Sequence, residues 1–244
     1  MRVDLLDRFA ALVGAADTPV PLFDAALAYS AALQDGDVWP GAAALRAELE
    51  EAALEHCADA RGELAVAEGV LEFLALQGFL GDQAHYEQVE NSLMDRVLER
   101  RRGLPISLSV LAMELAGRCG IKLEGIAFPG HFLVGLQLES DDPHVWDPFF
   151  GGVRVGPEQL ARIYSGVIGQ PVEPDSPQLR AHLQPAHSRL ILTRMLENLR
   201  RHYASAGQRR RVADVLELLA VLHPEVAGIR DLLDEQPRRR DLLN

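Results

Sequence analysis

The sequence predicts an α+β protein. Three observations carry that expectation. Apolar residues recur at helical spacing through the first hundred positions, the middle of the chain shortens into strand-like runs between Gly, Pro and Asp, and the last sixty positions return to a helical pattern. A chain of 244 residues with 48% hydrophobic and 25% charged side chains is long enough to bury a real core and has the balance of an ordinary globular protein.

Residues 1–84 read as an N-terminal helical region. Leu5, Leu6, Phe9 and Leu12 lie on one helical face, as do Leu45, Leu54 and the alanines around them. Pro19, Pro21, Asp35-Gly36-Asp37 and Pro40-Gly41 punctuate the helices. Further helices are predicted over roughly 63–79 and 88–101. The opening MRVDLLDRFAALVGAA carries acids within its apolar pattern, so it reads as an amphipathic helix and not as a signal peptide.

Residues 85–170 form the candidate core. A helix is predicted from Pro105 to about 119, with proline in its first turn and Gly120 as its stop. Leu104, Leu108, Leu111 and Leu115 make one buried stripe along it. KLEGIAF, HFLVGLQL, HVWDPF and GGVRV follow as four short strands. Residues 171–188, rich in Pro, Gln and Ser, read as a linker or boundary loop. Residues 189–244 read as a helix, a Gly turn, a second helix, a Pro stop at Pro224 and a third helix near 225–235. Leu199, Tyr203, Gly207, Leu216 and Pro224 match the spacing of a tetratricopeptide-like unit. A single such unit has to pack on the rest of the chain.

Charge and cysteine content narrow the function classes. The formal net charge is −12. Residues 1–100 carry 19 acidic and 6 basic side chains, and the remainder 17 and 18. The acidic part would repel nucleic acid and anionic lipid, so neither partner is expected. The clusters Arg100–Arg102, Arg209–Arg211 and Arg238–Arg240 have no interleaved aromatics and read as solvated faces or ion pairs. No apolar run approaches membrane-span length, and two cysteines, Cys57 and Cys119, make no disulfide framework. A cytoplasmic location is the expectation.

Candidate chemistry converges on the middle segment. A helix N-terminus at Pro105 offers free N–H groups and a positive dipole end. His131 follows a Pro-Gly turn at the start of one strand, and Asp147 ends the next. An Asp there can orient the His, as the third group of a nucleophile–base–orienter set does. The blocks RRGLPISLSVLAMELAGRCGI, FPGHFLVGL and VWDPFFGG, with NSLMDRVLERRRG upstream, resemble the SirB-type branch of the transglutaminase-like superfamily over about residues 85–235. That resemblance implies a papain-like fold and a site of Cys, His and Asp in chain order. The superfamily's Gly-x-Cys opening aligns with Gly103 and Gly120-Ile121, but the Cys position falls on Pro105. The His and Asp positions fall on His131 and Asp147.

Substitute nucleophiles are few. Cys119 lies at the negative end of the helix, roughly 20 Å from its start. Cys57 reads as a small buried hydrophobe. Ser107, in the first turn, is the remaining candidate; otherwise its hydroxyl bonds a free first-turn N–H or an upstream carbonyl. His131 and Asp147 read either as a general base with its orienter or as a tie between strands. Asn91, Glu99 and Arg100 either brace the approach to Gly103 or face solvent. Trp146, Phe149 and Phe150 either wall a cleft or fill the core. His144 and Asp147 fall on opposite faces of a strand, His182 and His187 in the boundary loop, and no metal or other cofactor is expected. Two functions remain open. One is a non-catalytic protein that binds a peptide or protein partner. The other is a hydrolase or amide-processing enzyme using the His131–Asp147 dyad with water or Ser107.

Overall fold

A computed structural model describes residues 3–14, 20–34, 38–138 and 143–225. Pro19, the Asp35–Asp37 turn, the helix expected near 225–235 and the Arg238–Arg240 cluster lie outside the described residues.

Four helices come first: α1 (Val3–Val13), α2 (Leu22–Ala32), α3 (Trp39–His56) and α4 (Glu63–Leu76). Helix α2 is buried almost all round, and its alanines allow neighbouring helices to approach closely. Strand β1 (Leu80–Gly81) then pairs in parallel with β2 (Arg102–Gly103). The single helix expected over 88–101 is broken. A 3-10 turn covers Val89–Ser92, Leu93 is extended, and α5 runs from Met94 to Arg100. The break has a cause in α2. The Tyr29 hydroxyl donates to the Ser92 carbonyl at 2.8 Å, and the Ser30 hydroxyl accepts from the Met94 N–H at 2.8 Å. Both backbone groups are thereby drawn out of a continuous helix.

Helix α6 (Pro105–Arg118) carries the predicted leucine stripe, and Leu104, Leu108, Leu111 and Leu115 are all buried. Each contributes about 1.5–3 kcal/mol by leaving water. The four predicted strands form one antiparallel meander, β3 (Glu124–Ile126), β4 (Leu133–Leu136), β5 (His144–Asp147) and β6 (Val153–Arg154), in that spatial order. Alternation assigns its two faces. Val134, Leu136 and Trp146 join the core around α6, while Ile126, Leu133 and Val145 join a second cluster beneath α7 (Pro157–Ile168) and α8 (Pro177–Ala181).

The segment 171–188 is packed. It contains α8, its Leu179 and Leu183 are buried, and Pro185 bridges to Ile126 at the sheet edge. The chain ends, as described, in a hairpin of α9 (Ser188–Ser205) and α10 (Arg209–Leu222). The inner face of α9, with Ile191, Leu192, Met195, Leu196 and Leu199, belongs to the same core as α6. Among the described residues, no helix is long and apolar enough to cross a membrane.

Candidate active-site cleft

The antiparallel pairing of Val134 with Trp146 brings the start of β4 beside the end of β5. This unites two residues sixteen positions apart. His131 Nε2 lies 2.6 Å from Asp147 Oδ2. The other carboxylate oxygen, Oδ1, accepts the Phe149 N–H at 3.0 Å, so the acid is fixed at both ends. The Asp147 side chain is 1% exposed and that of His131 13%. The acid is therefore sealed while the imidazole reaches a cleft. A carboxylate on Nε2 makes that nitrogen the proton donor, which leaves Nδ1 as the acceptor of the neutral ring. The ring is held edge-on by Phe149 at 6.1 Å and tilted against Phe150 at 6.2 Å.

The cleft, about 690 Å³, is lined by Leu104, Pro105 and Ile106 at the start of α6, by His131 and Phe132, by Tyr86 and Glu87, and by one face of α9. Pro105 and His131 thus share one surface. At the position where a helix N-terminus would activate a nucleophile, the chain presents a proline ring.

Ser107 is not brought to His131. It is fully buried, and its hydroxyl is committed elsewhere. Its Oγ accepts the Leu104 N–H at 2.9 Å and lies 2.8 Å from the Asn91 carbonyl and 3.0 Å from that of Leu104. This is a helix cap supplied from inside the first turn. Ser109 is also buried, with no hydrogen-bond partner for its hydroxyl. Neither Cys57 nor Cys119 is among the residues that line the cleft. Burial raises the Cys57 thiol above its ordinary range, and burial together with the neighbouring Cys57 pushes Cys119 up to about 11.

The loop before α6 is braced by a polar network. Asn91 is fully buried. Its amide donates to the His85 carbonyl at 2.8 Å and its carbonyl oxygen accepts from Arg100 at 3.0 Å. Arg100 also donates to Asp82 at 3.1 Å, and the Asn91 backbone carbonyl accepts the Leu104 N–H at 3.2 Å. Glu99 instead pairs with Arg96 at 2.8 Å on the half-exposed side. Gly103 completes the arrangement, because a Cβ there would lie 2.7 Å from Ser107 Oγ. Trp146 and Phe149 are core residues, and Phe150 is about half exposed beside His131. Gly81 admits the Phe149 ring; a Cβ at that position would stand 2.3 Å from it.

His182 packs against Tyr164 at 4.8 Å, and His144 bonds Arg154 through Nδ1. Among the described residues, no group of three or more His, Cys, Asp or Glu side chains could hold a metal ion. What sequence reasoning missed is the α9 wall of the cleft. Arg194, Glu197, Asn198, Arg201, His202 and Ser205 line it. Their spacing of three and four was a signal that they share a helix face, but only the docking of α9 sets that face opposite His131.

Comparison with known proteins bears on this geometry. Residues 42–197 match the sequence profile of the Transglutaminase-like superfamily, beginning well before the segment that carries the motifs. A UPF0162 protein of Pseudomonas aeruginosa is 35% identical over 252 aligned residues, covering 96% of this chain and 87% of that protein. A UPF0162 protein of Xylella fastidiosa is 40% identical over 155 residues, 63% of this chain and 54% of that protein. The match thus spans about half the length of the Xylella relatives. Human F-box only protein 21 is 29% identical over 161 residues, 60% of this chain and 23% of that protein. No solved structure shows a significant match.

Proposed function

The chain belongs to the transglutaminase-like superfamily and to the UPF0162 proteins, and from that premise we propose that it is a non-catalytic binding or regulatory protein whose cleft takes a peptide or protein partner. One observation carries the reading. Pro105 shares the cleft surface with His131 where the superfamily resemblance calls for a cysteine, and the first-turn hydroxyl of Ser107 is buried and bonded to backbone. The three sequence blocks favour the SirB-type branch. The α9–α10 hairpin, turning at Gly207, is read as a tetratricopeptide-like unit that contributes a cleft wall.

A second reading keeps the dyad at work. His131, oriented by Asp147 at 2.6 Å and lining the cleft, has the arrangement of a general base that activates water. The two readings separate in one assay. The intact chain and His131→Ala are compared on a panel of fluorogenic peptide amides and esters. The binding reading expects no turnover from either. Turnover by the parent that vanishes in His131→Ala would establish the hydrolase reading instead.

Pro105→Cys tests whether the site is of the papain type. A thiol placed there would sit at the positive end of α6 beside His131. Iodoacetamide should alkylate it well before Cys57 or Cys119, and His131→Ala in the same background should slow the reaction. Alkylation at the pace of the two native thiols would sink the assignment.

A further inference from the structure

Arg194 is set into the α9 wall of the cleft with its guanidinium 5.5 Å from the centre of the Phe132 ring. Among the described residues, no carboxylate pairs with it. Arg201, seven positions on and on the same helix face, bonds the side-chain oxygen of Asn198 and, among the described residues, pairs with no carboxylate. His202 lines the same cleft, and its buried Nδ1 has no hydrogen-bond partner. Burial, and then the charge of Arg201, pull both Arg194 and His202 below their ordinary proton affinities. A partly buried guanidinium without a counter-charge is costly to keep, and the Phe132 ring offsets only part of that cost.

Two acids also line the cleft. Glu197 pairs with Arg200 at 2.9 Å, and Glu87 is exposed at the rim. They leave room for a monoanion more readily than for a dianionic phosphate. Tyr86, 47% exposed on the cleft wall, and Phe150, 48% exposed and 6.2 Å from the His131 ring, offer places for an apolar side chain.

We propose that Arg194 and Arg201 form a carboxylate-binding site for an acidic peptide segment of a partner. This rests on the reading of the cleft as a peptide-binding site and names the chemistry of its occupant. The guanidinium fork suits a carboxylate, with which it can make two parallel hydrogen bonds.

The test uses the full chain and three octapeptides labelled with an uncharged BODIPY dye at low ionic strength, read by anisotropy. All contain Phe and Ser. One has two internal glutamates and an amidated end. One has glutamines and a free terminal carboxylate. One has glutamines and an amidated end. One of the first two should bind at least about tenfold tighter than the third, and which one does so identifies a side-chain or a terminal carboxylate. Arg194→Gln and Arg201→Gln should each erase the difference. Arg194→Gln should also unfold at a temperature no lower than the parent, because it removes an uncompensated charge. A lower unfolding temperature would make Arg194 a structural brace and overturn the proposal. Equal binding of all three peptides, abolished by Ser205→Trp at the cleft wall, would overturn the carboxylate site while leaving a peptide cleft. No binding by any peptide would remove both.

Discussion

Arg46 and Arg194 are the same residue in opposite circumstances. Arg46 sits where α2, α3 and α6 meet, and it holds three carboxylates: Glu50 at 2.6 Å, Asp24 at 2.5 Å and Glu114. Arg118 adds a second cation to Glu50 at 2.7 Å. Burial alone would lower the Arg46 guanidinium, but Glu50, Glu114 and Asp24 raise it above its ordinary value. Arg194 is lowered by burial and by Arg201, with an aromatic ring as its neighbour. A charge whose partners lie within the fold holds helices together. A charge left without them is available to something from outside.

The comparison can be broken most sharply at Arg46. Arg46→Met leaves Asp24, Glu50 and Glu114 facing one another with Arg118 alone. It should lower stability by about 3 kcal/mol in urea unfolding, toward the small end for broken buried ion pairs because the group is partly exposed. No measurable loss would reduce the cluster to a surface network. Ser107→Ala comes next. It strips the acceptor from the Leu104 N–H and should cost about 1–2 kcal/mol by the same measurement. Turnover found in the parent and lost in Ser107→Ala without a loss of stability would instead return Ser107 to the chemistry. Arg194→Gln should cost nothing in stability, and this is the arm that separates the two arginines.

The smallest effect belongs to His202. Its folded-state affinity for a proton is lowered, first by burial and then by Arg201. As pH falls through about 6.5 the unfolded chain takes up this proton before the folded chain does. Stability is therefore fully present above that pH and declines on acidification below it. His202→Gln should flatten the decline in thermal unfolding measured across that window. An unchanged slope would assign the pH dependence to other groups.

The elements most legible in the sequence are those with a strong local pattern. The leucine stripe of α6, its proline start and glycine stop gave its bounds nearly to the residue, and four short runs between turn residues are the four strands of the meander. The juxtaposition of His131 with Asp147 was also readable, since adjacent antiparallel strands bring such ends together. Other features depended on distant partners. Nothing local marks the break at Leu93, which Tyr29 and Ser30 impose from another helix. Helix α7 did carry local signals, with Gly156-Pro157 at its start and Gly169 at its end, and went unassigned between the sheet and the proline-rich stretch. The α9 face carried no assignment in the sequence because its meaning lies in what it faces.

The apolar side of α9 is anchored in the same core as α6, so Arg194 and Arg201 stand on a helix that cannot swing without opening that core. The wall of the cleft is thus at its final coordinates before anything arrives. An incoming chain would bear nearly all of the ordering entropy itself, and encounter would proceed without a rearrangement of the receptor. Association should then be quick and steered by charge, slowing as added salt screens the two guanidinium groups, while dissociation would carry most of the discrimination between one sequence and another.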